Sequence, residues 1–189
     1  MSARSNYVPG AATGAQVQKN GDAWTLILIR DLRQPPEMVW EALTAPEQLR
    51  EWAPFDADRN LDATGPVTLA TVGAPKSQMS TSNVTRAEAP RLLEYGWGGN
   101  VIRWELKPLG KGTRLTLWHN IDRDYVAMGA AGWHICLDVL DSMLSGDPIG
   151  RIVGGDAMNF EWKRLNAEYA AQFGVEARNP PTPPSQITT

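Results

Sequence analysis

The feature that most constrains this sequence is a regular series of strand-like runs that ends in one long helical stripe. The runs are separated by Gly, Pro and Asn turns and lie at residues 67–72, 80–88, 92–97, 101–107 and 113–120. Such even spacing predicts an antiparallel meander. From about Gly129 the apolar period becomes helical, with Trp133, Leu137, Leu140 and Leu144 on one face. We therefore expect an α+β fold in which a long helix lies across a curved antiparallel sheet.

Two short helices are predicted between a first strand and this meander. The strand, at residues 24–32, is apolar on both faces and should be covered on both sides. Pro36 suits the first position of a helix that ends near Leu43. The sequence Thr-Ala-Pro-Glu at residues 44–47 predicts a capping box for a second helix, which ends near Trp52.

A single domain is predicted for residues 22–174, and its last helix should span about residues 157–173 with Gly174 as the C-cap. Residues 1–21 are rich in Ala, Gly, Ser and Asn without periodicity, which predicts a flexible arm. Residues 175–189 are rich in Pro and predict a disordered tail of polyproline type.

Composition narrows the possible compartments and partners. The net charge is −3 and no basic run is present, so we expect no nucleic-acid partner. The single cysteine, Cys136, cannot form an internal disulfide, which is typical of a reducing cytoplasm. The longest apolar run, residues 26–29, is far too short to span a bilayer, and the first residues lack a secretory apolar segment. A cytoplasmic protein without a membrane span is predicted.

Strand parity divides the meander into an inner and an outer face. The inner face should carry Leu93, Tyr95, Trp97, Ile102, Trp104, Leu106, Leu115, Leu117 and His119. Trp118 has the opposite parity and is expected to be half exposed or covered by a loop.

The inner face and the long helix would enclose a space rich in tryptophan, since the chain has eight Trp against four Tyr and three Phe. A cavity there would bind an apolar guest, with Trp52 and Phe55 at its mouth. The predicted ligand-binding residues are Trp52, Phe55, Trp97, Trp104, Leu117, His119, Trp133 and Leu137. The alternative is that the rings simply fill the interior. His119 is the only ionisable residue on the apolar face, so it is either the polar contact for a ligand or a structural histidine.

Several motifs resemble those of a known family. They are PPEMVWEAL at residues 35–43, TAPEQLREW at 44–52, YGW at 95–97, RWEL at 103–106, GTRLTL at 112–117 and GWHICL at 132–137. The chain resembles the family named after the activator of heat-shock-protein-90 ATPase, within the START-like (SRPBCC) helix-grip superfamily. The resemblance covers about residues 22–145. It implies a sheet that grips a long helix above an elongated apolar cavity.

Relatives in that superfamily bind lipids, hormones and polyketides, a few catalyse cyclisation, and others bind chaperones. Three functions follow as hypotheses. The first is non-enzymatic binding of a small apolar or amphipathic molecule between sheet and helix. The second is a chaperone-linked or regulatory interaction module of the co-chaperone or stress-response type. The third is a cyclase-like or hydrolase-like enzyme. Fold alone does not choose among them.

No catalytic or metal-binding arrangement is predicted. His134 and Cys136 lie about 200° apart on one helix and cannot pair directly. His134 is expected on an exposed helix face beside Asp138, four residues later. Two histidines and one cysteine lack a zinc-site spacing. We therefore predict no cofactor and no enzyme activity, with a small apolar molecule as partner and a chaperone or regulatory protein as the alternative.

Overall fold

The structure is a computed structural model that describes residues 3–73 and 78–180. Within these ranges the eight strands are β1 Ala15–Asn20, β2 Ala23–Leu32, β3 Phe55–Ala57, β4 Gly65–Thr71, β5 Gln78–Glu88, β6 Leu92–Trp97, β7 Asn100–Leu109 and β8 Gly112–Asn120. The four α-helices of the described residues are α1 Pro36–Thr44, α2 Pro46–Trp52, α3 Val126–Leu144 and α4 Trp162–Phe173.

The strands form one antiparallel sheet in the order β1-β2-β8-β7-β6-β5-β4-β3. The predicted meander is confirmed as the run from β4 to β8, in which each strand pairs with the next along the chain. The first predicted strand, β2, pairs with the last one, β8. The short strand β3 was not predicted. The α+β helix-grip fold is thereby confirmed, with its long helix packed on the inner face of a curled sheet.

The register confirms the predicted inner face. Trp104 on β7 lies opposite Leu117 on β8 and opposite Leu93 on β6. Ile102 lies opposite His119 in the same way. Directly opposed residues share a face of an antiparallel sheet. These five side chains are buried, so the inner face is the core side.

The two short helices are confirmed, but the capping box between them is wrong. Pro36 occupies the first turn of α1, and Ala45 is the N-terminal cap of α2 with no side-chain hydrogen bond. The hydroxyl of Thr44 instead donates to the carbonyl of Trp40, 2.8 Å away within α1. Thr44 is therefore the last residue of one helix and cannot cap the next.

The long helix α3 is covered on both sides. Its inward residues Trp133, Leu137 and Leu140 are buried towards the sheet, and α4 packs along it as well. The last predicted helix begins later than expected, because residues 154–160 form a 3-10 helix and Glu161 has a left-handed backbone. Gly174 is the C-terminal cap, as predicted. Within the described ranges, no helix is long and apolar enough to cross a membrane.

The N-terminal segment, predicted to be a flexible arm, contains a strand and forms hydrogen bonds with the rest of the domain. Residues 15–20 form β1, which pairs with β2. The guanidinium of Arg4 donates to the carbonyls of Ile149, Gly150 and Arg151, and it also pairs with Asp156. Hydrogen bonds from one side chain, such as those of Arg4, produce no periodic pattern of apolar residues, so the sequence did not predict this docking.

The predicted tail begins against α4. The side-chain amide of Asn166 donates to the carbonyl of Arg178 at 2.8 Å, and the Arg178 guanidinium lies 3.1 Å from a carboxylate oxygen of Asp124. Residues 175–180 are therefore held next to the domain. Residues 181–189, which carry most of the predicted tail, lie outside the described residues.

Candidate functional site

Seven rings from four strands and two helices meet between the sheet and α3, and we call them the aromatic cluster. The members of the aromatic cluster are Trp52, Phe55, Tyr95, Trp97, Trp104, His119 and Trp133. Neighbouring rings have centroids 5.2–6.0 Å apart. Such distances are those of packed aromatic pairs. The rings that sequence parity placed together therefore do lie together.

Trp104 lies between Trp52 and Trp133 in the aromatic cluster. Its ring lies edge-on to Trp52 at 6.0 Å and to Trp133 at 5.5 Å, and its side chain is fully buried. Its indole N–H donates to the hydroxyl of Tyr95 at 3.0 Å, while that of Trp52 donates to the carbonyl of Ala42 at 2.9 Å. Because both indole N–H groups are satisfied inside the protein, neither is available to a ligand in this arrangement.

Trp97 is a partly buried member of the aromatic cluster. Its ring contacts Phe55, with centroids 5.2 Å apart, and its indole N–H donates to the hydroxyl of Thr71 at 3.0 Å. It is followed by Gly98 and Gly99, both with positive φ, in the turn between β6 and β7. Trp97 is thus the member of the cluster next to solvent.

His119 carries a polar atom that the surrounding protein leaves without a partner. Its Nδ1 accepts a hydrogen bond from the indole N–H of Trp133 at 3.0 Å. Its Nε2 is buried, and none of the described residues forms a hydrogen bond with it. The side chain is only 4% exposed, and burial lowers the pKa of His119 to about 4. The imidazole is therefore neutral at physiological pH, with one nitrogen bonded and the other unpaired.

The eight residues predicted to bind a ligand all lie in one region, but the placement of two of them is wrong. Trp52 and Phe55 were expected at the mouth, and they are buried to 1% and 0% exposure. They come from α2 and from β3, the edge strand of the sheet. Leu117 and Leu137 are also buried, beside the rings. Whether the eight residues bind a ligand stays a prediction, since in this structure the rings are in contact with one another.

Two surface grooves lie away from the aromatic cluster. One, of about 560 Å³, is lined by charged side chains that include Glu37, Arg86, Arg91, Arg103, Glu105 and Lys107. Another, of about 280 Å³, lies on the outer face beside Trp118. Trp118 is half-buried under the guanidinium of Arg103, 5.0 Å above its ring, which fits its opposite parity. Neither groove is lined by any of the eight predicted residues.

A buried polar network behind α3 was missed from the sequence. His134 was expected to be exposed, but it is 3% exposed, because α4 and the N-terminal segment cover that face. Its Nδ1 lies 2.7 Å from the hydroxyl of Tyr169, and its Nε2 lies 3.4 Å from a carboxylate oxygen of Asp138. The hydroxyl of Tyr7 donates to the same carboxylate at 2.6 Å. The i, i+4 spacing of His134 and Asp138 was the only feature of the sequence that indicated this network. The spacing does not show that α4 and the N-terminal segment cover the pair.

The groups that could carry nucleophilic or metal chemistry are few. Burial raises the pKa of the Cys136 thiol to about 12, so the reactive thiolate is not populated at neutral pH. Among residues 3–73 and 78–180, no group of three or more His, Cys, Asp or Glu side chains is placed to hold a metal ion.

A family model described as Activator of Hsp90 ATPase homolog 1-like protein matches residues 33–145, more than half of the chain. The chain belongs to this family. The matched region runs from the start of α1 to the end of α3, so it contains every member of the aromatic cluster. No curated protein matches the sequence.

Solved structures of low sequence identity share the fold of this family member. A conserved protein of unknown function from Enterococcus faecalis has a TM-score of 0.66 at 16% identity, with 84% of this chain and 89% of that one covered. CalU16 from Micromonospora echinospora has a TM-score of 0.58 at 22% identity and coverages of 89% and 97%. The AHSA1-like protein from Aeromonas hydrophila has a TM-score of 0.54 at 20% identity and coverages of 65% and 92%. At these identities the likeness concerns the fold alone.

Proposed function

We propose that this protein binds a small apolar or amphipathic molecule between the sheet and α3, without chemical change, in the part of the aromatic cluster formed by Trp97, His119 and Trp133. The observation that carries the proposal is the buried, unpaired Nε2 of His119. Buried polar groups in folded proteins nearly always have a hydrogen-bond partner, and an exception calls for a specific explanation. A ligand atom that pairs with Nε2 is such an explanation.

The surroundings of that nitrogen suit an apolar molecule. The His119 ring has two aromatic neighbours, Trp97 and Trp133, each with its centroid 6.0 Å away. Indole faces bury large areas of an apolar guest, at about 25 cal/mol per Å² before the costs of association. Burial would therefore supply most of the affinity, and the single polar contact would orient the guest.

Space for a guest requires a movement of Trp97, because the rings of the aromatic cluster are in contact. Trp97 is the partly exposed member, and the turn after it is formed by Gly98 and Gly99. A Cβ atom built on either glycine would meet no heavy atom within 4 Å, so this turn is open to solvent. Displacing Trp97 outwards breaks its hydrogen bond to Thr71 and its ring contacts with the aromatic cluster. The contacts of Trp104 with Trp52 and Trp133 do not involve Trp97.

The protonation states of the Cys136 thiol and the His119 imidazole favour binding without a chemical step. Cys136 is buried with a raised pKa, and His119 is neutral with a lowered one. Nucleophilic catalysis needs an activated nucleophile within hydrogen-bond reach of a base. The described hydrogen bonds of the aromatic cluster contain no such pair.

The proposal is tested by heat denaturation in the presence of a panel of lipids and aromatic metabolites. A ligand at one hundred times its Kd stabilises the folded state by about 2.7 kcal/mol. For a domain of this size that raises Tm by roughly 5–10 °C. Trp104→Ala should weaken any hit, because Trp104 supports Trp133. Trp118→Ala is the matched control on the outer face and should bind as the wild type does. Absence of any stabilising molecule, or equal losses in both variants, would contradict the proposal.

A protein-interaction module remains the second candidate. The mutual contact of the rings favours it, because such a module needs no internal space. The groove of about 560 Å³ could accept an acidic segment of a partner, since its lining has an excess of cations. Four lining side chains are cationic, Arg86, Arg91, Arg103 and Lys107, and two are carboxylates, Glu37 and Glu105. The family description points to chaperone ATPase activation as the activity to assay.

The second candidate is tested by the ATPase rate of a purified Hsp90-type chaperone with and without this protein. Stimulation that is lost in a double Arg91→Glu, Lys107→Glu variant would support it. The matched control is Lys163→Glu, on α4 and outside the groove. No stimulation by the wild type, together with a positive ligand panel, would leave ligand binding as the function.

A further inference from the structure

We infer that the ligand is a neutral molecule that presents a hydrogen-bond acceptor, such as a carbonyl or ether oxygen, to the Nε2–H group of His119. This inference rests on the proposed function and specifies the class of ligand for the same site. It is carried by the tautomer of the imidazole, which the hydrogen bond from Trp133 determines.

The hydrogen bond between Trp133 and His119 assigns both imidazole nitrogens. An indole N–H is a donor only, so the Nδ1 atom of His119, 3.0 Å away, must accept. A neutral imidazole carries one proton, and it therefore resides on Nε2. Since Nε2 is buried without a partner among the described residues, the protein presents one N–H donor and no acceptor at this point. The complementary ligand atom is an acceptor.

The surroundings select against a charged acceptor. The His119 side chain is 4% exposed, and its ring neighbours are the indoles of Trp97 and Trp133. A carboxylate would lose most of its hydration here, and burial already holds the imidazole in its neutral form. A carbonyl or ether oxygen accepts one hydrogen bond at a much smaller desolvation cost. The site at His119 therefore suits a ligand that carries an uncharged acceptor oxygen on an otherwise apolar molecule.

The shape of the site favours a flat ligand. The planes of Trp97 and Trp133 cross at 73°, while the plane of Trp97 is tilted by only 34° from that of His119. A planar ring that takes the position of the Trp97 indole can stack near His119 and meet the edge of Trp133. Offset stacked and edge-to-face arrangements are the favourable geometries of aromatic pairs.

The test compares 1-indanone with indane, two rigid bicyclic molecules that differ at one carbon, which carries the carbonyl oxygen in 1-indanone. Binding to the wild type is measured by tryptophan fluorescence and by the Nε2 resonance of His119 in histidine-labelled protein. We expect 1-indanone to bind about tenfold more tightly than indane, the factor expected when a buried donor gains its partner. The Nε2–H resonance should shift with 1-indanone and remain in place with indane.

Two variants at the same position complete the test. His119→Phe removes the donor and should abolish the preference for 1-indanone while indane still binds. His119→Gln retains both an acceptor for Trp133 and an N–H donor, and should keep part of the preference. If His119→Phe fails to fold, two measurements on the wild type still test the inference. They are the relative affinities for 1-indanone and indane, and the shift of the Nε2–H resonance.

The outcomes separate this inference from the proposed function. Equal affinities for the two molecules, or an unshifted Nε2–H resonance on 1-indanone binding, would overturn the inference and leave ligand binding in place. Panel hits that lack an acceptor oxygen would overturn it in the same way. If neither probe binds and the panel gives no hit, both proposals fail.

Discussion

The hydroxyl of Tyr7 donates a hydrogen bond of 2.6 Å to Asp138, and this contact joins the N-terminal segment to the outer side of α3. Burial and the neighbouring carboxylate raise the pKa of the Tyr7 phenol, so it remains a donor. Asp138 also lies 3.4 Å from His134, whose other nitrogen meets Tyr169 on α4. One carboxylate thus connects three segments that are distant in sequence.

Tyr7→Phe should destabilise the fold, because it removes a hydrogen bond to a charged acceptor while keeping the ring. The expected loss is about 1.5–3 kcal/mol in the free energy of unfolding. Urea denaturation followed by circular dichroism measures it. Tyr125→Phe is the matched control, since Tyr125 is 54% exposed and should change stability by less than about 0.5 kcal/mol. Equal stabilities of the two variants would contradict the role assigned to Tyr7.

The architecture could be predicted because each of its elements leaves a local pattern. Alternation in β7 and β8 places Trp104 and Leu117 on one face, and the register puts them opposite each other. The stripe that contains Trp133 and Leu137 marks the inward side of α3 in the same way. These patterns arise from burial, which repeats with the period of the element.

The missed parts depend on contacts between distant segments. The docking of the N-terminal segment rests on Arg4, which binds three carbonyls of a loop more than 140 residues away. The sequence around Arg4 does not predict which carbonyl groups it will bind. His134 was misplaced for the same reason, because its burial depends on Tyr169 in another helix. Periodicity within α3 identifies its polar side but not whether another helix covers it.

The sequence predicted which residues form the candidate site, but not how their rings are arranged or whether they enclose a cavity. Parity brought Trp97, Trp104 and His119 to one face, and the helical stripe added Trp133. Whether large rings enclose space depends on their rotamers and on the distance between helix and sheet. Neither quantity is encoded in residue spacing. The unpaired nitrogen of His119 follows from one hydrogen bond, which no sequence pattern specifies.

Trp104 and Trp118 should differ widely in their contributions to stability. Trp104→Ala removes a fully buried ring that contacts Trp52 and Trp133 and should cost about 3–5 kcal/mol. Trp118→Ala removes a half-buried ring on the outer face and should cost about 1.5 kcal/mol or less. Urea denaturation of the two variants and the wild type gives both values. Similar losses would show that the inner rings are not the main packing centre.

The thiol of Cys136 should be unreactive until the protein unfolds. Its side chain is buried, and burial raises its pKa to about 12. At pH 8 a disulfide reagent such as Ellman's should therefore react slowly with the native chain and rapidly in urea, with one thiol per chain. The control is the same reaction with free cysteine in the same buffer. Rapid labelling without urea would contradict the placement of Cys136 in the core.

The stability of the fold should fall as the pH is lowered from about 6.5 to about 4, because His119 must stay neutral in the folded state. Burial lowers its pKa from 6.5 to about 4, so the unfolded chain binds a proton in this interval that the folded chain does not. The contribution is complete above pH 6.5 and is lost as the pH approaches 4. Between pH 7.5 and pH 5 the expected loss from this residue is roughly 2 kcal/mol.

His119→Gln isolates this contribution, because glutamine does not titrate and its side-chain oxygen can still accept the hydrogen bond from Trp133. Urea denaturation at pH 7.5 and pH 5 should show a smaller loss for the variant than for the wild type, by roughly the same 2 kcal/mol. Other titrating groups affect both proteins alike, so they cancel in the difference between the two losses. If the variant loses as much stability as the wild type, His119 is not the group that links folding to pH.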